Sequence, residues 1–385
     1  MKVLHVTPAY FPATYWGGPI YSVLGLNDAL VRLGVHLTVL TTDSAGPRRA
    51  QRLRFDRDSR IAYPSGHEIH YCRRIAGAHV SLEMVRRLIP LVRSADVVHL
   101  TSTYSFPTIP ALMACRALHK PLVWSPRGAL LATHEWTGAR RRGLKRLWEL
   151  ACARILANTS SVFHVTSPEE QSASLARIPL NDARVIPNGV EIPAHLSKRE
   201  WLPNGKLRLL FLGRLDPKKG IENLFQAMTV MADPNIILEV CGTGNDSYRN
   251  HLSTLATGLS IDKQIRFVGH VDGDEKTRAF ARADLCIAPS HSENFCMVIA
   301  EALAHGVPVI ASTGTPWPKL PERDCGEWIP NSAESLAAGI RRMRSQNLEQ
   351  MGLRGRTWMQ QDFSWDRAAK LMHELYRNLV DSRRA

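Results

Sequence analysis

Short apolar segments alternate with stretches of helical periodicity along the whole chain. Ten of these segments are apolar at most positions, as expected for strands covered on both faces. They read KVLHV, HLTVLTT, DVVHLT, PLVWS and SVFHVT in the first half, and LRLLFLG, IILEVCG, IRFVG, ADLCIAP and VPVIAS in the second. Between them, segments such as GPIYSVLGLNDALVRLG place apolar residues at helical spacing. Repeated strand–helix units predict an α/β fold with parallel sheets.

The sheet-forming pattern begins twice. VLHVTPAYFPATYWGG and LRLLFLGRLDPKKG each run from a strand through a glycine-bearing loop into a helix, and the proline-rich RVIPNGVEIPAHLSKREWLPNGK lies between them. We therefore predict two Rossmann-like domains facing a central cleft, over residues 1–187 and 188–363. An amphipathic C-terminal helix over 364–385 is expected to pack back on the first. The length of 385 residues also favours two cores over one.

The net charge limits the classes of partner that the chain is expected to bind. The formal net charge is +14, which suits polyanions, acidic lipid surfaces or phosphorylated small molecules. The seven cysteines are scattered without a CxxC pair, which favours a reducing compartment over a disulfide framework. MKVLHVTPAYFP has the pattern of a strand and loop rather than of a signal peptide, and no apolar run is long enough to span a bilayer. We expect a cytoplasmic protein, with a peripheral position at the inner face of the plasma membrane as a further candidate.

Glycines follow two predicted strands and mark loops suited to an anion. Gly17 and Gly18 open a helix after the first strand, where a backbone can approach a ligand closely and the helix N-terminus attracts negative charge. A simple tight turn explains the same pair. Gly242 and Gly244 follow a later strand, but neither site carries a G-x-G-x-x-G fingerprint.

The loop GRLDPKKG, residues 213–220, is more specific. Arg214 and Lys219 follow a strand directly, at the edge where open α/β sheets bind ligands. An arginine fork and a lysine point charge suit a diphosphate. A solvated basic loop is the alternative.

The segment PSHSENFCMVIAEALAHGVPVIAS places one carboxylate, Glu301, in a run with the composition of a buried helix. A buried charge requires a partner. Glu293 lies eight residues earlier, or about 12 Å along a continuous helix, which is similar to the reach of an activated sugar. We predict that residues 294–296 form a loop whose backbone N–H groups lie under phosphates, and that a ribose diol pairs with Glu301. Pairing with a backbone group or an arginine for structure alone is the alternative.

These segments, with RVIPNGVE and the N-terminal Gly-Gly pair, resemble the retaining glycosyltransferases of family 4. The resemblance covers most of the chain and is strongest over residues 184–312. It implies the GT-B fold and transfer of a sugar from a nucleotide-diphosphate donor to a saccharide or lipid-linked saccharide acceptor, with retention at the anomeric carbon. SENF and GTPWPKL are similar to a subgroup associated with bacterial surface polysaccharide biosynthesis.

The family implies specific roles in this sequence. Arg214 and Lys219 would bind the donor diphosphate and stabilise its departure during front-face attack. Glu293 would contact the transferred sugar, and Glu301 the ribose. The other residues expected around the donor are Gly17, Gly18, Gly242, Val271, Asn294, Phe295, Cys296 and Met297.

Two departures from the family pattern stand out. Relatives usually carry glycine where this chain has Asn294 and Cys296, so the loop is less permissive here. Many also carry a His-Gly or His-Asp pair after a strand of the N-terminal domain, where this chain has Arg127 and Gly128 in WSPRGAL. Arg127 stays protonated and cannot be a general base, although it suits a leaving phosphate or an anionic acceptor. The nearby His134 is the other candidate.

No cofactor or metal is expected. The D-x-D strings at 56–58 and 272–274 match a metal motif of other glycosyltransferase folds, which we interpret as chance in this fold.

The segment TGARRRGLKRLWELACARILA, residues 137–157, combines five basic residues over 140–146 with leucines and a tryptophan. A helix of this kind can lie on an anionic membrane. A solvated helix face packed on its own domain is the alternative.

Two other classes of protein remain open. A nucleotide-sugar epimerase would share the fold and need no acceptor. A nucleic-acid-binding protein would explain the charge, but the basic residues are not interleaved with stacking aromatics and no known module is present, so no nucleic-acid partner is expected.

Overall fold

The computed structural model describes residues 1–55, 60–131 and 142–384. The chain divides into two compact units, one formed by Met1–Gly189 with Trp365–Ala385 and the other by Val190–Ser364. Each unit has its own sheet and its own buried apolar clusters. The architecture is therefore α/β with two Rossmann-like units.

The first unit is built on a mixed sheet. Its described strands are β1 (Lys2–Val6), β2 (His36–Thr42), β3 (Arg60–Ala62), β4 (Glu68–Cys72), β5 (Val97–Thr101), β6 (Leu122–Ser125), β7 (Ser161–Val165) and β8 (Asp182–Val185). They lie in the order β3-β4-β2-β1-β5-β6-β7-β8, all parallel except β3, which is antiparallel to β4. The helices that follow them in this part of the chain are α1 (Gly18–Arg32), α2 (Leu82–Ser94), α3 (Thr108–Ala117), α4 (Arg142–Leu156) and α5 (Pro168–Arg177).

The second unit is built on a parallel sheet. Its strands are β9 (Leu207–Leu212), β10 (Ile236–Cys241), β11 (Ile265–Gly269), β12 (Leu285–Ala288), β13 (Val309–Ser312) and β14 (Gly326–Ile329), in the order β11-β10-β9-β12-β13-β14. The helices are α6 (Ile221–Met231), α7 (Asp246–Gly258), α8 (Gly273–Arg282), α9 (Met297–Ala304), α10 (Ala333–Arg344) and α11 (Leu348–Asp362).

Both sheets reverse their strand order beside their first strand. The chain moves outward from β9 to β10 and β11, then crosses to β12 on the other side of β9. The first sheet does the same between β1 and β5. In open parallel sheets, ligands bind beyond the carboxyl ends of the strands at such a point. The loops that follow β9 and β12 are therefore the first place to look for a site in the second unit.

A final helix, α12 (Trp365–Arg384), belongs to the first unit and packs against α1. Its apolar residues Met372 and Tyr376 are fully buried. The Tyr376 hydroxyl is hydrogen-bonded to Nδ1 of His99 at 2.5 Å. Helix α12 thus contributes to the same core as the central strands of the sheet.

Three histidines lie buried in adjacent parts of the first sheet, His5 on β1, His99 on β5 and His164 on β7. The rings of His5 and His99 stack at 4.4 Å, and Ser125 is hydrogen-bonded to both His99 and His164 at 2.7 Å. Burial lowers the pKa of His5 and of His164 to about 3, and lowers that of His99 well below its ordinary value. All three imidazoles are therefore neutral near pH 7.

No helix in the described ranges is both long enough and apolar enough to cross a membrane.

Candidate functional site

The loop after β9 is shaped by its glycine and aspartate residues. Arg214 is exposed, and a short 3-10 turn follows over Pro217–Lys219, capped by Asp216 Oδ1, which accepts from the backbone N–H of Lys218 at 3.0 Å. Gly220 has φ +63°, and a Cβ there would lie 2.1 Å from the carbonyl oxygen of Pro289. The loop after β9 is therefore packed directly on the loop after β12.

This packing brings Lys219 and Glu293 together, 74 residues apart in sequence. Lys219 Nζ lies 2.5 Å from Glu293 Oε1, and the Ser290 hydroxyl donates to the same oxygen at 2.9 Å. The backbone N–H of Glu293 donates to the carbonyl of Gly314 at 2.8 Å. Lys219 and Glu293, both predicted from the sequence as site residues, thus form one ion pair. The Ser290 hydroxyl and the Gly314 carbonyl hold Glu293 in position.

The charges at this point add to a positive field. Burial disfavours the ammonium of Lys219, but the Glu293 carboxylate outweighs this and raises the pKa of Lys219, while the charge of Arg214 acts in the opposite direction. Lys219 is therefore charged near pH 7. Its ion pair with Glu293 is neutral overall, and the exposed Arg214 adds one positive charge. An anion beside the two loops would be attracted.

The residues that lead into α9 form a left-handed turn rather than a helix. Cys296 has φ +64° and ψ +70° and is the residue before the helix starts at Met297. Phe295 is buried against Trp317, whose indole N–H donates to the Phe295 carbonyl at 2.5 Å. Glu293 therefore lies in a loop and Glu301 in a helix, with the positive end of the helix dipole directed at the loop.

The partner of Glu301 is Lys276 on α8, with Nζ 2.8 Å from Oε1. This lysine was missed by sequence reasoning, which considered a ribose diol, a backbone group or an arginine. Nothing in GDEKTRAFAR distinguishes Lys276 from other solvated lysines on a charged helix. Only the packing of α8 beside α9 brings the two side chains together.

The remaining predicted donor residues are divided between the two units. Gly242 follows β10, where a Cβ would lie 1.7 Å from the carbonyl oxygen of Gly213, so this glycine lets the β10 and β9 loops touch. Val271 is buried after β11. Gly17 and Gly18 lie in the first unit, where they begin α1.

Arg127 and His134 are the two candidates for the catalytic position of the N-terminal unit. Arg127 follows β6 with φ +54°, and its Nη1 donates to Asn188 Oδ1 at 2.5 Å. Burial lowers its pKa to about 10, against the attraction of the Glu170 carboxylate, so it remains a cation near pH 7. His134 lies outside the described residues.

Within residues 1–55, 60–131 and 142–384, no group of three or more His, Cys, Asp or Glu side chains could hold a metal ion. Of the two D-x-D strings, Asp272 precedes α8 and Asp274 lies in its first turn. The string at 56–58 lies outside the described residues.

Two family models match the chain in tandem. The model described as Glycosyltransferase Family 4 matches residues 16–192, and the one described as Glycosyl transferases group 1 matches residues 195–358. The chain belongs to the family 4 glycosyltransferases. The second match contains Arg214, Lys219, Glu293 and Glu301, and the first contains Arg127.

Curated relatives of this glycosyltransferase are similar over part of their length. An uncharacterized glycosyltransferase of Methanocaldococcus jannaschii is 29% identical over 231 residues, 55% of this chain and 58% of the relative. The GDP-mannose-dependent alpha-(1-6)-phosphatidylinositol dimannoside mannosyltransferase of Mycobacterium tuberculosis is 26% identical over 60% of this chain and 61% of its own. The chain therefore spans less than two thirds of the length of these relatives.

Solved structures resemble this glycosyltransferase over nearly the whole chain. Sucrose-phosphate synthase from Thermosynechococcus elongatus superposes with a TM-score of 0.75 at 21% identity, over 99% of this chain and 100% of its own. HepE of Anabaena in complex with UDP-glucose gives 0.73 at 16% identity, over 98% and 100%. At these identities the likeness establishes the fold, which is GT-B.

Proposed function

We propose that this chain transfers a hexose from a nucleoside-diphosphate donor to a saccharide or lipid-linked saccharide acceptor, with retention at the anomeric carbon. The observation that carries the proposal is the joining of the β9 and β12 loops, which places Lys219 on Glu293 beside the exposed Arg214. A pyrophosphate needs such a pair of cations, and a sugar needs a hydroxyl-binding carboxylate next to them.

Each residue has a chemical task in this proposal. Arg214 and Lys219 stabilise the charge that develops on the leaving diphosphate, and Glu293 orients Lys219 and accepts from hydroxyls of the sugar. A preorganised cation of this kind is worth about 10²–10³ in rate. A departing phosphate oxygen takes the proton of the attacking acceptor hydroxyl on the same face, which yields retention.

The nucleoside end of the donor is assigned to Glu301 and the loop after β11. Lys276 Nζ pairs with the Glu301 carboxylate and holds it in place. The two oxygens of a carboxylate can accept several hydrogen bonds, so a ribose diol can bind while Lys276 stays paired. Val271 would lie beside the base.

Relatives of known activity support this class. A phosphatidyl-myo-inositol mannosyltransferase of Mycobacterium tuberculosis is 34% identical over 166 residues, 41% of this chain and 42% of its own. The relatives named above are likewise transferases. They do not favour the nucleotide-sugar epimerase. A role in surface polysaccharide biosynthesis remains a proposal from the SENF and GTPWPKL segments.

A thermal-shift screen against UDP, GDP, ADP and TDP, with their sugars, tests the donor site. One nucleotide is expected to raise the melting temperature by mass action, equally with and without excess chelator, because no metal is required in this proposal. The rise is expected to disappear in Arg214→Ala and Glu301→Ala.

Arg184→Ala is the matched control, since Arg184 is an exposed arginine paired with Asp182 on β8. It should keep the full shift. A nucleotide shift that survives Arg214→Ala and Glu301→Ala would place the donor elsewhere and refute the assignment, and a shift that requires a divalent cation would refute metal independence.

We further propose that α4 places the enzyme at an anionic membrane. Trp148 and Cys152 face the core, whereas Leu144, Leu147 and Leu150 are 63%, 64% and 61% exposed. Arg142 and Arg146 are exposed on the same helix. Three exposed leucines beside arginines are costly in water and suited to the headgroup boundary of an anionic bilayer.

The neighbouring helices also expose apolar side chains. Helix α3 packs on both α2 and α4, and Leu82, Val85, Ile89 and Met113 are exposed on α2 and α3. The seven cysteines are all buried free thiols, which suits a reducing compartment. The cytoplasmic side of the membrane is therefore the proposed location.

Liposome flotation tests the membrane proposal. The chain is expected to float with anionic vesicles at low salt, less at high salt, and little with neutral vesicles. Replacing Leu144, Leu147 and Leu150 together by serine should abolish flotation, while Leu353→Ser, an exposed leucine of the second unit, should not. Equal flotation of both variants would exclude α4 as the contact.

A further inference from the structure

Arg127 carries a guanidinium that its own unit only partly satisfies. Nη1 donates to Asn188, but Nε and Nη2 are buried and have no hydrogen-bond partner among the described residues. A buried donor without a hydrogen bond is costly in free energy, and more so when the donor group is charged. One nitrogen of the Arg127 guanidinium is therefore hydrogen-bonded, and the other two are without a partner among the described residues.

Another buried arginine of the same unit shows what a structural arginine looks like here. Arg74 Nη1 and Nη2 donate to the Ser44 hydroxyl and to the backbone carbonyls of Gly46, Ala78, Arg48, Arg49 and Gln51. Both of its terminal nitrogens are thus satisfied, and only its Nε lacks a partner among the described residues. Arg127, by contrast, leaves both Nε and Nη2, a whole edge of the guanidinium, unbonded within the described part of the chain.

The groups around Arg127 do not fill that edge. The Glu170 carboxylate attracts Arg127, but its Oε1 accepts from the backbone N–H of Gly128 at 2.5 Å and its Oε2 accepts from the backbone N–H of Thr166 at 2.8 Å. The histidines whose pKa the Arg127 charge helps to depress, among them His5 and His164, are neutral. Glu170 therefore balances the charge of Arg127 but gives no hydrogen bond to its unbonded edge.

The open edge has a defined shape. Nε–H and Nη2–H of an arginine point in parallel, so together they bind two oxygens of one carboxylate or phosphate. We infer that Arg127 is a binding site for an oxyanion on the acceptor, so that the acceptor substrate carries a phosphate or a carboxylate group. Arg127, Gly128 and Ala129 are each partly exposed, so the loop lies at the surface of its unit.

The assignment to the acceptor rests on the proposed function. There the donor diphosphate is held by Arg214 and Lys219 of the second unit, whereas Arg127 lies in the first unit, on the loop after β6. The existence of the anion site does not depend on that assignment, because it follows from the unfilled edge of Arg127.

Thermal-shift titrations of the full chain with inorganic phosphate, glucuronate and glucose test the inference. Phosphate or glucuronate is expected to raise the melting temperature and glucose is not, which also separates a phosphate-bearing from a carboxylate-bearing acceptor. Arg127→Gln should weaken anion binding by about tenfold to a hundredfold. Arg127→Lys, which keeps the charge but loses the parallel pair, should weaken it less.

Arg214→Ala separates this site from the donor site. It is expected to keep the phosphate shift while losing the nucleotide shift, and Arg127→Gln should do the reverse. A phosphate shift that vanishes in Arg214→Ala and persists in Arg127→Gln would overturn the inference and leave the donor site intact. The absence of any anion shift in the unmodified chain would also overturn it.

Stability without anion distinguishes a binding role from a structural one. In anion-free buffer Arg127→Gln should melt at or above the temperature of the unmodified chain, because it removes a charged group two of whose three nitrogens are buried without a hydrogen-bond partner among the described residues. Arg74→Gln is the control and should melt lower with or without phosphate. If Arg127→Gln behaves like Arg74→Gln, Arg127 is structural and the inference fails.

Discussion

Cys296 has a backbone conformation that is energetically unfavourable for residues other than glycine. Its φ of +64° lies in the left-handed region, directly before α9, and the resemblance to family 4 implies that relatives carry glycine there. The left-handed conformation costs a non-glycine residue roughly 1–2 kcal/mol. The chain tolerates this because the thiol is buried in the core of the second unit.

A pair of substitutions measures this strain. Cys296→Gly and Cys296→Ala both remove the thiol, but only glycine relieves the backbone, so the glycine variant should be the more stable by about 1 kcal/mol. Urea unfolding of the two variants gives the difference. At Ser253, an exposed position inside α7, the order should reverse, with alanine more stable by about 1 kcal/mol. The same order at both positions would contradict the strain.

At the scale of residues, the sequence predicted contacts between loops better than contacts between helices. Arg214, Lys219 and Glu293 follow strands whose carboxyl ends meet at one edge, so topology alone brought them near each other. The pairing of Lys276 with Glu301 depends on how far α8 and α9 rotate about their own axes. Such a rotation is set by packing of the whole unit, which no local pattern encodes.

Helix α12 shows how a terminal element can decide the stability of a distant part of the chain. It packs on α1 and buries Met372, Leu375 and Tyr376 in the core of the first unit. Its amphipathic pattern made the helix predictable.

Met372→Ala is expected to lower the free energy of unfolding of the first unit by about 2–5 kcal/mol, because a fully buried side chain leaves a cavity. Lys370→Ala, an exposed neighbour on the same helix, should change it by no more than about 0.5 kcal/mol. Scanning calorimetry with and without nucleotide checks both. A loss of nucleotide binding in Met372→Ala at temperatures where the chain is folded would contradict the assignment of α12 to the first unit alone.

The strands that sequence reasoning missed share a position at or near a sheet edge. β3, β8 and β14 are edge strands, and β4 lies beside β3. Edge strands are shielded less than central ones, so sequences such as DARV and GEWI mix polar and apolar residues. Central strands such as LRLLFL are buried on both faces, so their continuous apolar composition makes them predictable from the sequence.

The pH dependence of the whole molecule should follow the histidines in the core of the first unit. His5, His99 and His164 have lowered pKa values in the fold and ordinary ones near 6.5 when unfolded. Above pH 6.5 both states are neutral and stability is unaffected. As the pH falls from 6.5 toward 3, the unfolded chain takes up protons that the folded chain refuses, so stability is lost at about 1.4 kcal/mol per pH unit for each histidine.

Calorimetry from pH 7 to pH 5 measures this slope. His164→Gln should melt with a shallower dependence on pH, even if its melting temperature at pH 7 is lower. His36→Gln, an exposed histidine at the start of β2, should keep the slope of the unmodified chain. Parallel slopes for all three proteins would show that the buried histidines do not control acid stability.

The order of segments along the chain has a consequence for synthesis. The first unit is made of Met1–Gly189 and Trp365–Ala385, with the whole of Val190–Ser364 between them. A ribosome therefore finishes the second unit before it supplies the helix that covers α1 and binds His99. The nascent first unit stays open along that surface for the time needed to translate the second, and chaperones that recognise apolar surface should be recruited there until Tyr376 has left the exit tunnel.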